Sequence, residues 1–237
     1  MNTPQTLSRP LAARVQALTD PAAYGDAPPV PQAVLDAAAS ALEAGHTHYT
    51  DRPGIEPLRE KAVGWLGARY GIELDAGQVT ITCGATEARF VTLKQLAAGK
   101  SVLAPGQHER IAQAAALIGA PIVQTISDPA AVSILYLTPD DDPTLVTPLL
   151  GLVQVHDWWV IYDTAVPGER LAHPALDAQL APRVISIGSY SHRLPGWRIG
   201  WMAGSSAANK LRAYKQSMTI CTTSIAQWAA LGLEAEA

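Results

Sequence analysis

The segment Gln78-Val79-Thr80-Ile81-Thr82-Cys83-Gly84-Ala85-Thr86-Glu87-Ala88-Arg89-Phe90-Val91-Thr92-Leu93-Lys94-Gln95-Leu96 changes its apolar pattern at a single glycine. Gln78 to Thr82 is a short β-branched run and reads as a strand, whereas Thr86 to Leu96 reads as a helix. Gly84 between them lets the backbone come close to a ligand. The exposed amides of the first helical turn make an anion site, to which Thr86 adds a hydroxyl donor. The same pattern also serves as an ordinary strand-to-helix turn.

Outward from this segment the alternation continues. Ser101 to Ala104, Pro121 to Gln124, Val132 to Leu137, Trp158 to Tyr162 and Val184 to Ile187 read as strands, with helices at Glu109 to Ile118 and Thr144 to Val155. Strands alternating with helices build a mainly parallel, mixed sheet covered on both faces, an α/β fold. Trp197 to Met202 reads as a further strand ahead of a final helix from about Ser206. On the N-terminal side, Gln32 to Ala44 carries Val34, Leu35, Ala38 and Leu42 at helical spacing, with Gly45 placed to cap it. Ile55 to Tyr70 follows with Leu58, Ala62, Val63 and Leu66 on one face. The Pro- and Ala-rich residues 1–30 read as an arm, and residues 31–237 as one large domain.

Of the 237 residues, 48% are hydrophobic and 16% charged, which excludes disorder and collagen and suffices for a substantial core. A net charge of -4 with no long basic cluster excludes nucleic acid and anionic membrane as partners, so a small molecule is expected. The N-terminus lacks a signal-peptide core and no apolar run approaches the roughly 18 residues of a membrane span, so the expected location is cytoplasmic. Cys83 and Cys221 lack metal-ligand spacing and read as buried thiols. His46 and His48 have no carboxylate or Cys spaced to complete a shell, so no metal is expected.

In open α/β sheets, ligands bind beyond the carboxyl ends of the strands. There Asp163 appears just as the run Ile161-Tyr162 ends; such a carboxylate pairs with a protonated ring nitrogen or a buried cation, or caps the next turn. The loop Gly188-Ser189-Tyr190-Ser191-His192-Arg193-Leu194-Pro195-Gly196-Trp197-Arg198-Ile199-Gly200-Trp201 gathers hydroxyls, a His and two Arg at a strand terminus. That set suits an anionic ligand such as phosphate.

Tyr49 with Gly54-Ile55-Glu56-Pro57-Leu58-Arg59, Gly84-Ala85-Thr86-Glu87-Ala88, Tyr162-Asp163, Gly188-Ser189-Tyr190-Ser191 and Pro195-Gly196-Trp197-Arg198-Ile199-Gly200-Trp201 stand in this order. Together they resemble the motifs of class I/II aminotransferases, pyridoxal-phosphate enzymes of the aspartate aminotransferase fold, fold type I. The resemblance runs from about Val30 to Leu233 and implies that family's large domain. It implies a phosphate cup from Gly84, Ala85, Thr86, Ser189 and Arg198, with Asp163 on the pyridine nitrogen. Tyr49 would reach the phosphate of a neighbouring subunit.

The departures bear on chemistry. The family's Schiff-base lysine falls on His192 when the loop is matched from Gly188, or on Tyr190 when it is counted back from Pro195, and no lysine occurs from Ser101 to Asn209. A lysine amine both forms the imine and moves the substrate proton; His192 can do only the second. Asp142 replaces the Asn that contacts the ring hydroxyl, where an anion would repel the phenolate, and Val166 replaces a Tyr donor to the same oxygen. His108 is the nearest candidate to stack on the ring. The family's C-terminal small domain, which supplies the Arg for the substrate carboxylate, is expected to be absent. The resemblance with these departures describes a degenerate aminotransferase-like protein that binds pyridoxal phosphate or another phosphate ligand non-covalently without transaminating. Two other readings stay open: a conventional aminotransferase, and a dehydratase-like enzyme in which His192 is the base on a pyridoxamine-phosphate adduct.

Because the family completes its site across a two-fold interface, a homodimer is expected. Light scattering at micromolar concentration should give twice the chain mass of 25.0 kDa, and a value at the chain mass itself rejects the dimer.

Overall fold

A computed structural model describes residues 30–106, 109–190 and 193–233. The expected arm, apart from Val30, lies outside them, as do His108 and His192. Among the described residues seven strands form one sheet: β1 (Val79–Thr82), β2 (Ser101–Leu103), β3 (Ile122–Val123), β4 (Val132–Leu137), β5 (Trp159–Asp163), β6 (Val184–Ser189) and β7 (Gly200–Ala203). Their order is β1-β7-β6-β5-β4-β2-β3. The pairs β2–β3, β2–β4, β4–β5 and β5–β6 are parallel, and β7 runs antiparallel to both its neighbours. This is the mixed, mainly parallel α/β sheet expected from the alternation.

The helices are α1 (Gln32–Glu43), α2 (Glu56–Tyr70), α3 (Gly84–Leu96), α4 (Glu109–Ile118), α5 (Pro143–Leu150), α6 (Ala208–Thr219) and α7 (Ser224–Ala230). Side chains alternate along the strands between two apolar clusters, as a period of two requires. Ile134 and Tyr136 of β4, Ile161 of β5 and Ile185 and Ile187 of β6 meet Ala88, Val91 and Leu96 of α3 and Leu211 of α6. On the other face, Leu135, Leu137, Val160 and Tyr162 pack with Val146 of α5, Val153, Trp158 and Leu171. No helix among the described residues is long and apolar enough to cross a membrane.

Several sequence expectations need correction. The helix expected to reach Val155 ends at Leu150, because the chain then closes successive three-residue turns, Leu152 N–H to Leu149 and Val153 N–H to Leu150. The strand expected from Trp197 starts at Gly200, since Pro195–Trp197 forms a single 3-10 turn and Arg198 is left-handed at φ 55°. The final helix is broken at Ile220, whose φ of 53° stops α6 before α7 restarts. Cys83 is exposed and Cys221 half-buried, not core thiols. Cys83 lies at the strand-to-helix junction, immediately before α3.

Close approach of strands fixes the edge at which β1, β6 and β7 meet. A Cβ on Gly200 would lie 2.6 Å from the Gly84 carbonyl carbon, 2.8 Å from the Ala85 nitrogen and 2.8 Å from the Gly188 oxygen, all backbone atoms that cannot swing aside. Overpacking of this kind costs about 1–3 kcal/mol. Gly200→Ala should therefore lower the unfolding free energy measured in urea by that amount, whereas Gly196→Ala, which meets nothing within 4 Å, should change it by less than about 0.5 kcal/mol. Equal effects would show that the approach is not under constraint.

Candidate active site

Register places the site. Thr82 pairs with Gly200 across β1–β7 and Ser189 with Gly200 across β6–β7, while Asp163 at the end of β5 pairs with Ile187. The Gly84 turn, Ser189, Arg198 and Asp163 therefore share one edge, the carboxyl ends of the parallel strands. Gly84 opens α3 at φ 72°, a left-handed conformation that suits glycine. Arg198, left-handed as well, turns its guanidinium back over this turn: a Cβ on Gly84 would stand 2.6 Å from Arg198 Nη2, which itself lies 3.4 Å from Thr86 Oγ1. Holding a non-glycine residue in this conformation costs about 1 kcal/mol.

The first turn of α3 has no intrahelical acceptors for its amides, and its dipole favours negative charge. Glu87 fixes the turn from the other side. Its carboxylate accepts the Cys83 N–H at 2.6 Å and the Thr219 hydroxyl at 3.0 Å, and stands 4.0 Å from the Lys215 ammonium. Lys215 is fully buried, and burial pulls its amine below the usual lysine range. Ser189 Oγ donates to the Ile199 carbonyl at 3.3 Å, which ties the end of β6 to the residue after Arg198. Gly84, Ala85, Thr86, Ser189 and Arg198 thus come together at one edge, in a form that suits a phosphate dianion.

The ring end of the site differs from expectation. Asp163 is completely buried, and its Oδ2 accepts Arg89 Nε at 2.5 Å and the Tyr136 hydroxyl at 2.6 Å. Its Oδ1 accepts the Ala165 amide at 3.1 Å. Arg89 sits one helical turn after Ala85 on the sheet-facing side of α3, among Ala88, Val91 and Leu93. Burial opposes its charge, but the Asp163 carboxylate outweighs that and holds the guanidinium above its ordinary value. Burial, with the same carboxylate beside it, pushes the Tyr136 phenol far up, so the hydroxyl remains a donor. Of the partners open to Asp163 in the sequence, the fold supplies both the buried cation and, through the Ala165 amide, the cap of the next turn. Neither Arg89 nor Tyr136 was singled out in sequence; the available signal was a lone Arg on the apolar face of α3.

Other candidates disperse. Asp142 caps α5: its Oδ1 accepts the Thr144 amide and hydroxyl, both at 2.8 Å, and its Oδ2 pairs with Arg170 at 3.2 Å. The hydrogen bonds from Thr144 hold its carboxyl below the usual range. Tyr49 is 70% exposed, with His48 edge-on at 5.3 Å. Tyr190 lines a cavity of about 660 Å³ that Ser189 and Ala165 also border, together with Trp65 and Tyr70 of α2 and Trp201.

No protein-family model matches the sequence. An arginine–pyruvate transaminase of Pseudomonas aeruginosa is 26% identical over 229 residues, covering 81% of this chain and 56% of that protein. A probable aspartate aminotransferase of Methanocaldococcus jannaschii is 24% identical, covering 85% and 62%. The aspartate aminotransferase of Thermus thermophilus solved with maleate superposes with a TM-score of 0.72 at 20% identity, over 96% of this chain and 70% of that one. The chain is similar in sequence to aminotransferases of the aspartate aminotransferase type and shares the fold of their large domain. It spans 56% and 62% of the length of these two relatives.

Within this aminotransferase-like fold the residues fit the cofactor at one end only. The phosphate end is assembled by α3, Thr86 and Arg198. At the ring end, the carboxylate expected on the pyridine nitrogen is already held by Arg89 and Tyr136. Breaking a buried ion pair by removing one partner costs about 3–5 kcal/mol, because the other charge is stranded. Arg89→Leu should therefore destabilise the protein by that amount in urea unfolding, and Arg89→Leu with Asp163→Asn should recover most of it. A double variant no more stable than Arg89→Leu would show that the pair is not the source of the loss.

Proposed function

We propose that this aminotransferase-like chain binds a phosphate monoester, pyridoxal phosphate among them, non-covalently at the Gly84–Thr86 turn, and that it does not transaminate. The observation that carries the reading is the convergence of Arg198 on Thr86 and on the start of α3. The amides of Gly84, Ala85 and Thr86 and the Arg198 guanidinium would hold the phosphate. When bound, the cofactor would supply an aldehyde for imine chemistry, and this chain offers that aldehyde no amine where the family has one. The stretch from Ser101 to Asn209 lacks lysine, and Lys215 is enclosed behind Glu87 and bonded to Thr219 at 3.0 Å. His192, or Tyr190 in the other alignment, takes the lysine's position, and a neutral imidazole accepts a proton but forms no stable imine. In this reading Tyr49 acts across a homodimer interface.

Equilibrium dialysis with pyridoxal phosphate, followed by borohydride reduction and peptide mass analysis, tests this. The ligand should be retained in one copy per chain, displaced by inorganic phosphate, and left without a reduced lysine adduct. Arg198→Ala should weaken retention about 10- to 100-fold, the loss expected for a charge-assisted bond. His192→Lys should gain a reducible imine band without useful turnover. A site-specific, phosphate-sensitive lysine adduct in the parent protein, or transamination faster than that of free pyridoxal phosphate, overturns the reading.

A further inference from the structure

Charge decides what kind of ring the site accepts. Asp163 has no exposed surface, both of the in-plane acceptor positions of its Oδ2 are taken by Arg89 and Tyr136, and its Oδ1 receives the Ala165 amide. A lone carboxylate raises the basicity of a nearby ring nitrogen by stabilising the protonated form; a guanidinium 2.5 Å from that carboxylate cancels the effect. The phosphate end of the site remains cationic, because Arg198 and the α3 dipole stand there without depending on Asp163.

We infer that Arg89 is a specificity-determining residue: by pairing with Asp163 from inside the fold it takes the place of a ring cation, so the site selects phosphate monoesters with an uncharged ring and gains nothing from a basic ring nitrogen. The inference rests on the phosphate reading above and names the substrate class of that site. Arg89 reaches Asp163 because it lies four residues after Ala85, on the same helix face as the cup but one turn deeper. The cup and the neutralising cation are therefore carried by one helix, and the ring end cannot regain its anion without a change in α3.

Two esters without an aldehyde separate ring recognition from imine formation: 4-deoxypyridoxine 5′-phosphate, and its benzene counterpart with C–H in place of the ring nitrogen. Calorimetric titration of the parent protein should give dissociation constants within about twofold of each other, both raised by inorganic phosphate. The bound pyridine ester, labelled with ¹⁵N, should show the chemical shift of an unprotonated ring. In Arg89→Leu the pyridine ester should bind at least tenfold more tightly than the benzene ester, and Arg89→Lys should restore indifference. If Arg89→Leu does not fold, the parent's twofold match and the ¹⁵N shift decide the matter alone. A tenfold preference of the parent for the pyridine ester, a protonated ring in its complex, or indifference in a folded Arg89→Leu overturns the inference. In those cases phosphate-sensitive binding of both esters leaves the phosphate reading standing. Failure of parent and variants to bind either ester overturns both.

Discussion

The contact of Gly200 with the Gly84 turn and with Gly188 is the constraint on which the rest of the arrangement depends. Strand β7 can lie between β1 and β6 only where three backbones approach more closely than any Cβ allows. Once β7 is in that position, the residues just before it have one way to go. The 3-10 turn at Pro195–Trp197 and the left-handed Arg198 carry the guanidinium back over the start of α3. A packing requirement in the sheet thereby brings a guanidinium to the start of a helix at its edge. Glu87 ties α6 to the same turn through Thr219.

The two ends of the site then differ in electrostatic character. The end proposed for phosphate carries the Arg198 guanidinium over the N-terminus of α3. At the ring end, Asp163, Arg89 and Tyr136 form a closed set in which each polar group has its partner. Buried charges persist when they are paired and hydrogen-bonded, and this triad meets both conditions without any ligand. The register of β5 in this fold accounts for the position of Asp163, and Arg89 for its pairing.

Much of the fold was legible because it follows from short apolar runs. The strands β1 to β6 fall where the β-branched runs place them, and α4 matches its expected bounds at Glu109 and Ile118. Two of the misjudged ends share a cause: Ile220 and Arg198 both adopt positive φ, a choice made by tertiary packing that residue type does not announce. At the site, Gly84, Thr86 and Arg198 were legible because glycine, hydroxyl and cation at strand ends have few other uses. Asp142 was read from alignment with the family loop, yet its bonds to Thr144 are those of a helix cap, a role that Asp before Pro143-Thr144 signals locally. Arg89 was missed because a helix face reads as core until its one charge is asked for a partner.

The central claim is that phosphate binding at α3 has been kept while the ring carboxylate has been committed to Arg89. A crystal structure of the protein with pyridoxal phosphate tests it most directly. The account predicts phosphate density within hydrogen-bonding reach of the Gly84–Thr86 amides and Arg198, no density joining the aldehyde carbon to a lysine, and Arg89 still on Asp163. Continuous density from the ligand to a lysine, or a ring nitrogen on Asp163 with Arg89 displaced, would contradict it.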